Sequence, residues 1–238
     1  MTTIGCSVIC MDHINLERDV ALVEKLGVDY LHLDVMDGQF VPRYGIYPEI
    51  IFRIAQISEM KMDLHLMVGD PEFALDQFID VENIQYISVH IENNEKDILR
   101  IIDKIKGYSK KAGIVLNLNT PVTVLNDLIK YSEIDSVMLM GIHPGVLLQK
   151  PRPETAIEKA KAVVELTDDF CKLEMIQCDG AINFDTIPRL LSAGITNFVC
   201  GSKTLYKDVN FRDPWETNKK KIEENYKNIR KLLNCFTK

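Results

Sequence analysis

Four side chains able to ligate a metal or move a proton stand inside or at the ends of short apolar runs. In Leu31-His32-Leu33-Asp34-Val35-Met36-Asp37-Gly38, His32 and Asp34 are two residues apart, which puts them on one face of an extended strand. A second imidazole, His65, stands in Asp63-Leu64-His65-Leu66-Met67. A second carboxylate, Asp179, closes Gln177-Cys178-Asp179-Gly180. Two imidazoles and two carboxylates make a donor set for one divalent metal ion, of which Zn²⁺, Mn²⁺ and Fe²⁺ fit best. Taken singly, a strand histidine reads more simply as a hydrogen-bonded core residue. It is the conjunction of four such groups at strand ends that points to a metal. Met36, Met67 and Met140 also fall at strand ends, where they read either as gap-filling core or as a soft apolar floor beside the metal. His90, Glu92 and His143 read as lining or supporting groups. Gly180-Ala181 and Gly201-Ser202 are small enough for backbone amides to approach a phosphate.

These residues need a frame, and the alternation of the chain supplies one. Near-continuous apolar runs at Ile4–Ile9, Asp29–Asp34, Lys61–Met67, Tyr86–His90, Gly113–Asn117, Ser136–Ile142, Leu173–Cys178 and Asn197–Cys200 predict strands covered on both faces. Helical segments are expected at Leu16–Leu26, with Asn15 as N-cap and Gly27 closing it, and at Pro71–Ile79. Others are expected at 95–109, Val122–Tyr131, Arg152–Thr167 and Thr186–Ala193, the last closed by Gly194. Eight strands over 238 residues give about 30 residues per unit, the arithmetic of a (β/α)8 TIM barrel, whose functional groups project from the C-terminal strand ends. A doubly wound sheet is the competing α/β arrangement, but no Gly-rich turn follows the first strand. No linker or change of composition divides the chain, so residues 1–238 are expected to form a single domain. The stretch from about 213 to 235 is expected to add a C-terminal helix, with Ile222, Tyr226, Ile229 and Leu233 on one face.

Composition narrows the classes of function. Apolar residues make up 46% and charged residues 26% of the chain, which excludes general disorder. A net charge of −7 argues against nucleic acid or an anionic membrane as partner, while leaving room for a local anion pocket. The six cysteines contain no CxxC pair and read as reduced packing residues. The N-terminus MTTIGCSVICMDHIN lacks the features of a signal peptide, and no apolar run approaches the ~20 residues that span a bilayer, so a cytoplasmic protein is expected.

The motifs HLDVMDGQFVP (32–42), DLHLMV (63–68), LNLNTP (116–121), MGIHPG (140–145), CDGAI (178–182) and CGS (200–202) occur in the order found in ribulose-phosphate 3-epimerases. The chain resembles that family, which includes the allulose-6-phosphate 3-epimerases, from about Ser7 to Leu205. The resemblance implies a (β/α)8 barrel with one divalent metal ion held by His32, Asp34, His65 and Asp179. Asp34 and Asp179 would also be the acid/base pair. Ser7, Met36, Met67, Met140, Gly145, Gly180, Gly201 and Ser202 would contact a sugar phosphate, and a homo-oligomer is implied. The activity implied is 3-epimerisation of a ketose phosphate, by default D-ribulose 5-phosphate to D-xylulose 5-phosphate, through an enediolate. Alternatives are D-allulose 6-phosphate as substrate, or a sugar-phosphate-binding barrel without turnover. A metal hydrolase and an orotidine-monophosphate-type decarboxylase fit less well, the latter because Asp34-Val35-Met36-Asp37 contains no lysine. Three stretches depart from the family. Its usual NPGFGGQ is His143-Pro144-Gly145-Val146-Leu147-Leu148-Gln149, its Gly-Gly is Gly180-Ala181, and Arg43-Tyr44-Gly45-Ile46 replaces an Asn-containing stretch. Leucine tolerates positive φ poorly, so the 143–149 loop is expected to take another path.

Overall fold

A computed structural model of the chain describes residues 2–94, 97–131, 134–168 and 173–235. Eight parallel strands close into a barrel in sequence order. They are β1 (Thr3–Ser7), β2 (Tyr30–Met36), β3 (Met62–Met67), β4 (Ile84–His90), β5 (Lys111–Leu116), β6 (Ser136–Met140), β7 (Met175–Asp179) and β8 (Asn197–Cys200). The helices are α1 (Leu16–Leu26), α2 (Pro48–Ile57), α3 (Pro71–Phe78), α4 (Ile91–Asn94), α5 (Ile98–Gly107), α6 (Asn126–Tyr131), α7 (Pro153–Asp168), α8 (Ile187–Ser192) and α9 (Trp215–Cys235). The TIM barrel expected from the strand count is therefore present. Of the expected helix at 95–109, residues 95 and 96 lie outside the described set. No helix among the described residues is long and apolar enough to cross a membrane.

The local signals explain most boundaries. Ile98, Ile101, Ile102 and Ile105 recur at helical spacing and are buried, so α5 lays one apolar stripe on the barrel. Gly27 ends α1 at φ 79, and its N–H donates to Glu24 and Val23 carbonyls. Asp70 caps α3 by accepting from the Phe73 N–H at 3.0 Å, with Pro71 in the first turn. Helix α2 was absent from the sequence reading. Its run Ile50-Ile51-Phe52 suits strand or helix equally, and only burial of Ile51 and Ile54 against the barrel decides between them.

Strands alternate in what they present. On β2 and β3, Leu31, Leu33, Val35, Leu64 and Leu66 join the main apolar core, between barrel and helices. The residues between them, His32, Asp34, Asp63 and His65, are equally buried but point into the barrel. Cys6, Cys10, Cys178, Cys200 and Cys235 are free thiols; Cys6, Cys178 and Cys200 are buried, in line with the reading of cysteine as packing, Cys10 is partly buried and Cys235 is exposed. Cys171 lies outside the described residues.

Candidate active site

Barrel register brings the chemistry-bearing residues into rows. Ser7 pairs with His32 across β1 and β2, Asp34 with His65 across β2 and β3, and Met36 with Met67 one step beyond. On the other side Met140 pairs with Asp179 across β6 and β7. The result is a cluster of His32, Asp34, His65 and Asp179 whose candidate ligand atoms all lie within 4.8 Å of one another. Asp34 Oδ1 is 3.3 Å from His32 Nε2 and 3.4 Å from His65 Nδ1, and Asp179 Oδ2 is 3.6 Å from His65 Nδ1. Ser7 Oγ donates to the other oxygen of Asp34 at 3.0 Å.

A second layer fixes the two imidazoles. His32 Nδ1 stands 2.9 Å from Asp63 Oδ2, and Asp63 also accepts from the Gln177 side-chain amide at 2.7 Å. A carboxylate only accepts, so His32 carries its proton on Nδ1 when neutral and turns the Nε2 lone pair toward the cluster. His65 reaches the same state by a longer relay. Glu92 Oε2 lies 3.1 Å from His90 Nδ1, and His90 Nε2 lies 2.9 Å from His65 Nε2. Glu92 accepts from His90 Nδ1, so His90 Nε2 must accept from His65 Nε2, which leaves the His65 Nδ1 lone pair aimed inward. Glu92 is anchored in turn by the Asn117 N–H at 2.7 Å and by the Thr120 hydroxyl. Among the described residues, His32 Nε2 and His65 Nδ1 are the two side-chain nitrogens left buried without a hydrogen-bond partner. Buried lone pairs aimed at two carboxylates fit a divalent cation, which satisfies all four groups at once.

The electrostatics separate the two carboxyls. Burial would raise Asp34, but His32 and His65 outweigh it and hold the carboxyl well below its ordinary range. Burial and the Asp34 charge together push Asp179 up to about 7. Burial opposes a charge on His32, yet Asp34 and Asp63 raise it well above the ordinary histidine value. Burial draws His65 down to about 4 and also lowers His90. On Glu92, bonds from His90, Thr120 and Asn117 overcome burial and lower the carboxyl.

Above the cluster is a cavity of about 540 Å³. Asp34, Asp179, Ser7, Met36, Met67 and Met140 line it below, the turns after β7 and β8 (Gly180–Asn183, Gly201–Lys203) form one wall, and residues 144–149 roof it. Gly145 and the other substrate-contact candidates all face this one cavity, while His32 and His65 sit beneath its floor. His143 does not line it; its backbone N–H and carbonyl are both tied to the Gln149 side chain, at 2.7 and 2.5 Å. That staple closes the loop, and Gly145 (φ 71) rests so near Val41 that a Cβ would lie 2.8 Å from the valine Cβ. Within this loop Leu148 takes the left-handed backbone that leucine tolerates poorly, at φ 52 with its side chain fully exposed; in the turn after β7, Ala181 adopts φ 59. Asp63, Gln177, Arg43 and Lys203 had no role in the sequence reading. The signal for Asp63 was present, because it precedes His65 by two and shares its face.

Comparison with known proteins decides the family. The model described as the ribulose-phosphate 3 epimerase family matches residues 3–205. The chain belongs to the ribulose-phosphate 3-epimerase family. It is 34% identical to the ribulose-phosphate 3-epimerase of Bacillus subtilis (strain 168), over 85% of this chain and 91% of that protein. It is 32% identical to the one from Synechocystis sp. (strain ATCC 27184 / PCC 6803 / Kazusa), over 82% and 84%. Among solved structures, a mutant tryptophan synthase alpha-subunit from Pyrococcus furiosus superposes with a TM-score of 0.65 over 98% of both chains, at 15% identity; the likeness is one of fold. This epimerase is thus an isomerase acting on a ketose phosphate, and its barrel carries a cluster able to hold a divalent metal.

Proposed function

We propose that this epimerase interconverts D-ribulose 5-phosphate and D-xylulose 5-phosphate by two-base proton transfer, with Asp34 and Asp179 as the bases. The observation that carries the reading is the meeting of these carboxyls, from β2 and β7, in one cluster under a single cavity. Epimerisation at C3 removes a proton α to the C2 carbonyl and returns one to the opposite face. Two carboxyls from opposing strands supply one group per face, one ionised and one protonated, exchanging states at each turnover. His32, Asp34, His65 and Asp179 would hold Zn²⁺, Mn²⁺ or Fe²⁺. When bound, the ion supplies positive charge beside the oxygens that become negative as the proton leaves. Ser7 keeps Asp34 oriented, and Met36, Met67 and Met140 keep water from the reacting carbons. Gly180, Gly201 and Ser202 are suited to receive the phosphate, at the turns after the last two strands.

A second reading, D-allulose 6-phosphate as substrate, is favoured by one observation: Leu147 and Leu148, which help roof the cavity, are largely exposed to solvent, so the roof is not packed down over the end of the sugar chain. Incubating metal-loaded protein in D2O with each sugar phosphate, and following C3–H by NMR, tests both. Deuterium uptake with appearance of the epimer is expected with ribulose 5-phosphate. Asp34→Asn and Asp179→Asn are each expected to slow it by about 10²–10⁴-fold with the fold intact. Uptake only with allulose 6-phosphate would move the assignment to the ketohexose, and retained exchange in either variant would remove that residue as a base. Binding of both sugars without exchange would make the barrel a sugar-phosphate binder.

A further inference from the structure

Two cations line the cavity, Arg43 from the loop after β2 and Lys203 from the turn after β8. Every other charged group on its lining is a carboxylate, Asp34 or Asp179. Neither cation is spent inside the protein: among the described residues, neither side chain has an ion pair or a hydrogen bond, whereas Arg18, Arg100, Arg189 and Arg230 each hold a carboxylate. Both backbones are nonetheless fixed. The Arg43 N–H donates to the Val41 carbonyl at 2.8 Å, and Val41 is buried against Met36 and Met67. Beyond it, the N–H groups of Gly45 and Ile46 donate to the Met36 and Asp34 carbonyls at 3.1 and 2.8 Å. Gly45 makes that contact possible, since a Cβ there would lie 2.2 Å from the Asp34 carbonyl oxygen. Lys203 rides on a tight turn in which the Thr204 and Tyr206 N–H groups both donate to Gly201, each at 3.1 Å.

We propose that Arg43 and Lys203 hold the phosphate of the sugar by side-chain charge and set this cavity's preference for a phosphorylated over an unphosphorylated polyol or ketose. The proposal rests on the epimerase reading of the same cavity. A phosphate dianion bound away from the cluster, in a chain of net charge −7, meets repulsion that neutral amides offset only in part. The roof adds apolar Val146, Leu147 and Leu148, so the cationic side chains of the lining are Arg43 and Lys203, at its rim. The guanidinium offers a planar fork that matches two phosphate oxygens, and the ammonium adds a compact point charge beside Ser202.

The test uses ribitol 5-phosphate and ribitol, which lack the carbonyl and cannot turn over, titrated calorimetrically into the metal-loaded protein. Arg43→Met and Lys203→Met are each expected to weaken ribitol 5-phosphate binding by about ten- to a hundredfold, leaving ribitol binding and the melting temperature unchanged. Lys203→Arg should retain the phosphate preference, and added salt should weaken the methionine variants less than the unaltered protein. Ribitol 5-phosphate binding as tight in either methionine variant as in the unaltered protein would overturn the proposal. The two readings fail separately. Loss of phosphate preference in the variants, with no C3 exchange in the unaltered protein, would keep the cation pair and reject the epimerase. Exchange with undiminished affinity in the variants would do the reverse.

Discussion

Glu92 never touches the metal cluster, yet it decides which nitrogen of His65 carries the proton and so leaves a lone pair facing the cluster. The relay from Glu92 through His90 to His65 works only while Glu92 accepts and does not donate. Glu92→Gln can present either its oxygen or its amide to His90, so the bias on the His65 tautomer is lost. Metal affinity, measured by competition with a chromophoric chelator, is expected to fall by about 10–100-fold, and an unchanged affinity would show that the relay is packing alone. The same change in His65→Ala would be larger, because a donor is removed outright. At this scale the sequence was most informative about groups that contact one another along a strand. His32 and Asp34, or Asp63 and His65, share faces by a spacing of two. Asp63 went unread because an aspartate at a strand start also passes for a turn residue, and only its 2.9 Å contact with His32 gives it a purpose.

The turns at the barrel mouth carry strain that helices and strands do not. Leu148 and Ala181 hold φ 52 and φ 59, in the region where a Cβ meets the following carbonyl and costs about 1–2 kcal/mol. Both positions are ones at which the family usually has glycine. Holding left-handed backbone with a Cβ present puts the expense on stability. Ala181→Gly and Leu148→Gly are expected to stabilise by roughly 0.5–1 kcal/mol each, after subtracting the greater entropy of glycine in the unfolded chain. That corresponds to about 1–4 °C in melting temperature for a domain of this size. Lower melting temperatures would mean that contacts made by the side chains outweigh the strain. Element boundaries elsewhere followed from caps and periodicity, as at Gly27, Asp70 and the Ile98–Ile105 stripe. Helix α2 did not, because its isoleucines satisfy either periodicity until the barrel is there to bury them.

Across the whole molecule, the cluster couples folding to pH. His32 is raised well above its ordinary value in the folded state, so its contribution is fully present below the unfolded histidine value of about 6.5 and is lost as pH rises through the folded one. Asp179, pushed up to about 7, acts in the same sense: the folded state binds a proton that the unfolded state has already released. His65 and His90 are lowered; they are neutral in both states above about pH 7 and add no slope there. Metal-free protein is therefore expected to lose melting temperature as pH rises above about 7, where Asp179 has finished releasing its proton and folded His32 still holds one that an unfolded histidine has lost. A saturating divalent ion should flatten that decline, because it replaces the proton on His32 and favours both carboxylates ionised. A decline of equal steepness with and without the ion would place the titrating groups elsewhere.

The chain alone determined which residues could do chemistry and at what height on their strands, because periodicity of two and the order of the units are local properties. The barrel, the His32–Asp34–His65–Asp179 set and the small residues after β7 and β8 were legible on that basis. Tertiary structure decided everything that depends on convergence. Closure of β8 onto β1 brings Lys203 to the same rim as Arg43, and the register of β3 against β4 sets His90 on His65. Packing of the 41–46 segment over β2 orients Asp34. Residues far apart along the chain become neighbours only when a sheet closes, and no spacing in the sequence records that distance.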